Sequence, residues 1–446
     1  MALGLAACGG DAAPGTAPPA AFDALAIEVT DKLLKRLNSM SPLPPPPADP
    51  TNRVSDDARA AALGKALFFD ERFSANGSVS CATCHDPESG FTDGRQLAFG
   101  LSLGNRHTPT LWNVAYHRWL TWDGRADSLW MQALDPFEDP REMGSNRARI
   151  ALEIAESEPL RTAYEEIFGS LPPAVLDWGD ATSRAIGARP HLRIELDANG
   201  EVKPGAAVES PMVRHWEALA PATQAAVTGV FVNVGKALAA YQRTLVRGNA
   251  PFDRFVEGLN ESNPEKLSAL APSAQRGLVL FMGKANCTLC HNGPNFSDGE
   301  FHNNSLPTLH GGEPEDAGRY AGAAALKSSP FHAAGPHSDD QEGSAAQQVH
   351  ALKDSSESWG EFRTPSLRNL GHRAPFMHQG QFEDLESVIE FYSEQEGVSG
   401  RNHHQEQILV PLRLGDSEKA DLLAFLESLE GEPLPSEGND SALTRR

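Results

Sequence analysis

Cys81-Ala82-Thr83-Cys84-His85 and Cys287-Thr288-Leu289-Cys290-His291 are two copies of one pattern, offset by 206 residues (Cys81 to Cys287). A Cys-x-x-Cys-His segment is the attachment signature of a c-type haem. The chemistry sets the spacing: two thiols reach the two vinyl groups of one porphyrin, and the adjacent histidine lies under the iron as axial ligand. A redox Cys-x-x-Cys needs no following histidine. A zinc site separates its ligand pairs by a few to about twenty residues, not by some two hundred. The pattern therefore predicts two covalently bound c-type haems, on Cys81, Cys84 and His85 and on Cys287, Cys290 and His291. Its repetition predicts two related halves. What each haem does then depends on its other axial position: closed for electron transfer, open for ligand chemistry.

Outward from the motifs the apolar spacing is mostly helical. Ser55 is expected to cap a helix over Asp56 to Phe69. Other helices are expected over Ala126 to Leu134, Arg147 to Phe168, Thr223 to Val246, Ser273 to Gly283, Leu385 to Glu394 and Ser417 to Leu429. Strand-like alternation is scarce, with His191 to Glu195 one weak case. Two polar stretches, Pro172 to Pro211 and Ser305 to Ser358, read as unusually long loops. The expected fold class is mainly α: two cytochrome c-like haem domains with long loops and little strand. The expected boundaries are 1–50 for a lipoprotein-like terminus and Pro-rich tether, 51–250 for the N-terminal haem domain, 251–430 for the C-terminal haem domain and 431–446 for a tail. One short helix is expected over Phe22 to Leu37, folded structure from near Ser55, and the last helix is free to pack on the first domain.

Composition excludes several classes. The 446 residues carry 38 Lys+Arg against 60 Asp+Glu, a net charge of -22, which argues against nucleic acid and favours a basic partner through steering. No apolar run of about 18 residues exists, so no transmembrane helix is expected. Five cysteines are too few for a disulfide scaffold. The stretch Leu5-Ala6-Ala7-Cys8-Gly9-Gly10 resembles the end of a bacterial lipoprotein signal, although it lacks a basic n-region and a full apolar segment. A lipid anchor at Cys8 and a periplasmic location are the expectations. Export also agrees with haem attachment of this kind.

Several further blocks resemble the bacterial di-haem cytochrome c peroxidases and their MauG-like relatives over most of residues 55–430. They are Gly64-Lys65-Ala66-Leu67-Phe68-Phe69-Asp70, Arg106-His107-Thr108-Pro109-Thr110-Leu111-Trp112-Asn113, Trp122-Asp123-Gly124-Arg125, Arg243-Thr244-Leu245, Phe362-Arg363-Thr364-Pro365-Ser366-Leu367-Arg368-Asn369 and Phe376-Met377-His378-Gln379-Gly380. The resemblance implies that hydrogen peroxide reacts at the N-terminal haem. It implies a distal pocket of Gln132, Pro136 and Glu142, with Glu142 as general base and then acid. Trp122 matches a tryptophan lying between the two haems; taken alone it is a core residue of a Trp-rich segment. Glu142 taken alone is an ordinary acid at a helix end.

Two features bear on the branch of the family. Ordinary members close the second haem with a methionine, and alignment through Pro375 and His378 puts Tyr392 there. Leu385, Val388, Ile389 and Tyr392 fall at i, i+3, i+4 and i+7, one helix face. Tyr392 is the expected sixth ligand; Met377 is its rival, and simple packing is the plainer alternative. An anionic phenolate favours higher iron oxidation states, whereas a thioether raises the potential. The loop after the first haem holds a blocking histidine in many relatives. Phe99 matches that position, with His107 eight residues later as the alternative. The resemblance also sets His107 where relatives hold calcium through an Asn, and Arg373 where a residue that is usually Thr holds it through its backbone carbonyl, so calcium is left open. His302, His310, His332, His337, His350, His403 and His404 are expected to be solvated. Three functions remain: a MauG-like enzyme drawing electrons from residues of a partner protein, a peroxidase reduced by a small cytochrome, and a pure electron carrier. Oligomeric state is not legible.

Overall fold

The computed structural model describes residues 25–176, 195–196, 202–203, 216–309, 316–353, 355–396, 398, 405–406 and 408–433. The lipobox-like stretch around Cys8, His310, His403, His404 and most of the first long loop lie outside them. The helices of eight or more residues among the described residues are α1 (Asp31–Asn38), α2 (Ala58–Phe68), α3 (Leu129–Glu138), α4 (Arg147–Glu156), α5 (Glu158–Phe168), α6 (Pro221–Gln242), α7 (Pro251–Glu261), α8 (Pro272–Met282), α9 (Arg319–Ser328), α10 (Ser344–Ala351), α11 (Leu385–Glu394) and α12 (Asp416–Glu427). Two antiparallel pairs are the strands described: β1 (Glu195–Leu196) with β2 (Val202–Lys203), and β3 (Phe301–His302) with β4 (Phe362–Arg363). No helix among the described residues is long and apolar enough to cross a membrane. The fold is mainly helical.

Two apolar cores organise it. The first gathers Leu63, Phe68, Phe73, Phe91, Trp130 and Phe231 with their neighbours. The second gathers Phe252, Phe255, Leu278, Phe281, Phe296 and Phe425. Each core contains a close helix crossing. In the first, α2 lies on α6 and Gly64 faces the Ala237 carbonyl; in the second, α8 lies on α12 and Gly277 faces the Asp421 carbonyl. A Cβ at either glycine would run into that carbonyl, so the crossing distance is set by the missing side chain. α6 is buried along most of its length, which is why its apolar residues show no single face.

The two halves repeat each other closely. Asn113 and Asn369 both adopt positive φ, 58° and 60°, and both donate from Nδ2 to the same Arg247 carbonyl, at 3.0 and 3.1 Å. An isolated bridge joins Leu120 to Ala126 in one half and Phe376 to Phe382 in the other. Matching these two bridges sets Trp122 on His378, Ser128 on Asp384, and Pro136 on Tyr392. Ser128 and Asp384 do the same job, capping α3 and α11 by accepting from Met131 N and Ser387 N.

Several expectations change. α3 continues past Leu134 to Glu138, through Pro136. The expected single helix Arg147 to Phe168 breaks at Ser157 because Pro159 opens a new helix. Asp57, not Ser55, caps α2. The long Ser305 to Ser358 stretch contains α9 and α10, whose alanines favour helix without an amphipathic pattern. α7 has no counterpart among the expected helices. α12 packs on α8 in the second core.

Folded structure begins well before Ser55. Leu37 and Met40 are buried in the second core, and Pro44 and Pro47 accept hydrogen bonds from Tyr116 and Arg243. Asp253 and Arg368 anchor this segment. Arg368, with a fully buried side chain, donates to both Asp253 carboxylate oxygens at 2.8 and 2.9 Å and to the Met40 carbonyl at 3.2 Å. Ser41 Oγ donates to the same carboxylate at 2.7 Å. Arg368→Ala leaves that carboxylate buried and unpaired, so it should cost about 3–5 kcal/mol of unfolding free energy in a denaturant titration. A cost under about 1 kcal/mol would show that the pair contributes only packing.

Candidate functional site

Both Cys-x-x-Cys-His segments are short helical turns closed the same way. The His85 N–H donates to the Cys81 carbonyl at 2.9 Å, and the His291 N–H to the Cys287 carbonyl at 2.8 Å. Each imidazole is held through Nδ1, which lies 2.9 Å from the Phe91 carbonyl for His85 and 3.0 Å from the Phe296 carbonyl for His291. Phe91 and Phe296 both have positive φ, 57° and 50°, which turns their carbonyls toward the rings. With Nδ1 donating, Nε2 carries the lone pair, the arrangement an axial iron ligand needs. Burial lowers both histidine pKa values, so both rings stay neutral and able to ligate. The four motif cysteines form no disulfide, and burial pushes Cys81, Cys84 and Cys287 up to about 12.

A cavity of about 40 Å³ lies at the first segment, lined by Cys81, Cys84, His85, Gln132, Pro136 and Glu142 among others. The three residues inferred from resemblance are therefore brought together. Gln132 and Pro136 stand one turn apart on α3. The chain then reverses through a tight turn, with Gly144 N bonded to the Asp139 carbonyl and Met143 N to the Pro136 carbonyl, which brings Glu142 back over the same wall. Burial, followed by the nearby charge of Asp135, raises the Glu142 carboxyl to about 7; Arg125 opposes the shift. The loop after the first motif is pinned to this turn by Leu101 N on the Glu142 carbonyl and Ser102 N on the Arg141 carbonyl. Gly100 permits the approach, since a Cβ there would lie 2.6 Å from the Glu142 oxygen.

Phe99, at the expected blocking position, is 42% exposed and stacks under Arg95 instead of lining the cavity. His107 is not turned to this cavity either. It is buried, with Nδ1 2.7 Å from the Arg95 carbonyl and its backbone N–H on the His378 carbonyl, and it lines the second cavity.

The second cavity is much larger, about 770 Å³. Cys287, Cys290 and His291 line it, and so do Leu385, Val388, Ile389 and Tyr392. The helix face marked out by spacing thus opens onto the cavity. Asn304 Nδ2 donates to the Tyr392 hydroxyl at 2.9 Å. Burial, then the neighbouring Cys287 and Cys290, push the phenol above its usual range, so the free side chain is neutral. Met377, with φ 75°, lines the same space. Trp122 is buried at the seam of the halves. Its indole N–H donates to the His107 carbonyl at 2.8 Å, and its ring lies 6.4 Å from that of His378.

The donor chemistry fits a porphyrin iron at both places: two free thiols and one oriented neutral imidazole each. The second cavity has room for a flat macrocycle. At the first, the Gln132 to Glu142 wall must stand farther from the Cys81 segment to admit one. His302 is not solvated: it lies between Asp298 at 2.9 Å and Glu406 at 2.8 Å, lining the second cavity, and these partners with Cys290 raise it to about 11. His332 and His337 are partly buried as well, while His350 is exposed. Sequence reasoning gave no role to Asn304, Arg363 or His378, although the latter two lie in the blocks that carry the resemblance. The two-halves repeat, which pairs His378 with Trp122, adds a second signal for His378.

The family model for di-haem cytochrome c peroxidase matches residues 58–188. The methylamine utilization protein MauG of Methylorubrum extorquens is 32% identical over 437 residues, covering 97% of this chain and 95% of that one. Cytochrome-c peroxidase IdrP1 of a Pseudomonas species (strain SCT) is 31% identical, covering 89% and 86%. Among solved structures, a MauG-like protein associated with microbial copper homeostasis is 25% identical with a TM-score of 0.58, covering 87% of this chain and 95% of its own. The diheme peroxidase BthA from Burkholderia thailandensis E264 shares the fold at 22% identity and a TM-score of 0.59, covering 86% and 89%. With two Cys-x-x-Cys-His turns in repeated halves and a relative this similar over nearly its whole length, the chain belongs to the di-haem cytochrome c peroxidase and MauG family of oxidoreductases.

Proposed function

We propose that the protein is a periplasmic di-haem c-type peroxidase of the MauG-like kind. The first haem, on Cys81, Cys84 and His85, faces Gln132, Pro136 and Glu142, and hydrogen peroxide is reduced there. The second, on Cys287, Cys290 and His291 and closed by Tyr392, passes electrons from a partner protein. The two haem domains span 51–250 and 251–430, Leu37 and Met40 complete the core of the second, and Cys8 carries a lipid. One observation supports this reading above the rest: Glu142 shares a cavity with His85, and neither Phe99 nor His107 lines that cavity. The second haem's ligand is supported by the repeat, which sets Tyr392 on Pro136, a residue of the first distal wall. Met377 falls instead on Thr121, which is not part of that wall.

When bound, the haems supply iron that takes up peroxide and exchanges electrons. The side chains supply the rest. Glu142, held near neutrality, takes a proton from the proximal peroxide oxygen and returns it to the departing one. The Gln132 amide donates a hydrogen bond to the leaving oxygen. Trp122, at the seam, is an aromatic step between the two sites. A peroxidase reduced by a small cytochrome shares every one of these parts except Tyr392. A pure carrier needs both irons capped by side chains, and the Glu142 wall offers no imidazole to the first.

The test is the optical spectrum of fully oxidised protein matured with haem. A high-spin ferric component that disappears rapidly on adding peroxide, without prior reduction, is expected. Two low-spin haems inert to peroxide would leave only the electron-carrier reading.

A further inference from the structure

Most buried or nearly buried arginines in this protein carry carboxylate partners. Arg106 lies between Asp123 and Asp316, Arg147 pairs with Glu138, and Arg368 pairs with Asp253. Arg319 is an exception, held by the Asp123 and Gly124 carbonyls and the Trp119 and Phe301 rings without lining the second cavity; Arg363 and Arg373 are exceptions that do line it. They are 6% and 8% exposed, and neither has a carboxylate within ion-pair distance among the described residues. Arg363 donates to the Thr121 and Thr364 carbonyls, at 3.3 and 3.1 Å, and contacts His117 Nδ1 at 2.9 Å. Arg373 donates to the Ser366 carbonyl at 2.8 Å, and its Nε has no partner. Both line the second cavity with His107 and His117. Burial, and for Arg363 the charge of Arg373, pull both guanidinium pKa values down to about 10. Glu430, the acid that acts on Arg373 from a distance, is itself paired with Arg247. A buried cation without a counter-charge is strongly unfavourable, so such a pair on a cavity wall implies an anion inside the cavity.

We infer that Arg363 and Arg373 bind the propionate carboxylates of the haem carried by Cys287, Cys290 and His291, and that this positive charge replaces calcium at the seam. The inference rests on the reading that the cavity holds that haem. A porphyrin of this class brings two carboxylates, and two guanidiniums offer planar forks suited to them. The side chains at the seam do not suit calcium, which takes six to eight oxygen ligands. His107, His117, Arg363 and Arg373 offer nitrogen and positive charge, and the nearby acids Asp123 and Asp316 are already held by Arg106. Arg373 is therefore a positioning residue for the second haem.

Holoprotein and its Arg363→Met, Arg373→Met and Arg373→Lys variants provide the test. Haem per chain, calcium per chain, the midpoint potential of the second haem and the propionate bending bands in resonance Raman are measured on each. Expected are two haems in every variant, no stoichiometric calcium, and a lower second-haem potential with shifted propionate bands in both Met variants. Arg373→Lys should restore most of the potential. Unchanged potential and bands in both Met variants would overturn the anchoring role, and one calcium per wild-type chain would overturn the replacement. If the Met variants fail to accumulate, wild type and Arg373→Lys suffice: propionate bands that move between these two support the anchor, and identical bands refute it. A wild-type chain with a single haem would instead overturn the two-haem reading on which the inference stands.

Discussion

Glu142→Gln should lower the peroxide-dependent rate by about 10²–10⁴-fold, the usual contribution of a positioned proton shuttle. Glutamine keeps the shape and the turn, whose contacts are made by the backbone of Arg141 and Glu142. It removes only the group that can accept a proton. The pH profile is the sharper readout. Burial, with Asp135 second, lifts the Glu142 carboxyl to about 7, so below that pH the side chain is protonated and cannot begin the transfer. Wild-type kcat/KM for peroxide should therefore rise as pH increases through about 7, and the variant should lose that step. The same shift has a stability consequence of opposite sense. Between the ordinary value, 4.5, and about 7, the folded protein holds a proton that the unfolded chain has released, so folding weakens as pH rises through that window. Removing the group should stabilise the fold above pH 7 by up to about 3 kcal/mol, from 1.36 kcal/mol per unit. A variant within about tenfold of wild type, with the same pH profile, would remove Glu142 from the chemistry.

The parts of this site legible in the sequence are those fixed by local chemistry. The Cys-x-x-Cys-His spacing is set by the porphyrin, so it survives without any knowledge of the fold. The Leu385, Val388, Ile389 and Tyr392 face follows from helical period alone, and all four residues line one cavity. What the period could not say is whether that face meets protein or empty space. Glu142 was reachable only through resemblance, because its place depends on a turn that folds back on α3. The missed features are long-range in sequence. Asn304 meets Tyr392 across 88 residues, and His302 meets Glu406 across 104. Nothing near His302 marks it as anything but a loop histidine. Arg363 and Arg373 look like ordinary charges in polar blocks until the structure shows them buried with no carboxylate in ion-pair reach among the described residues. The early start of the fold was hidden in the same way: Leu37 and Met40 sit beside prolines that suggest a tether, yet they complete a core built from residues after 250.

Tyr392→Phe should abolish the low-spin ferric component of the second haem while leaving both haems attached and the first still reactive toward peroxide. Phenylalanine fills the same volume on α11 and loses only the oxygen. That oxygen accepts from Asn304 at 2.9 Å, which fixes the direction of its remaining lone pair. In the protein alone, burial and the two cysteines disfavour the phenolate, so ligation must come from the iron's own charge displacing the proton. Losing Asn304 should then weaken the bond without breaking it, and Asn304→Ala should shift the spectrum less than Tyr392→Phe. Tyr392→Met supplies a thioether at the same turn of the helix and should raise the second haem's potential. A higher potential makes that haem easier to reduce by a small cytochrome and poorer at holding oxidising equivalents, which would move the enzyme from the MauG-like behaviour toward ordinary peroxidase behaviour. An unchanged low-spin component in Tyr392→Phe, with loss of it in Met377→Leu, would transfer the ligand role to Met377 and remove the electronic reason for preferring a protein substrate over a cytochrome donor.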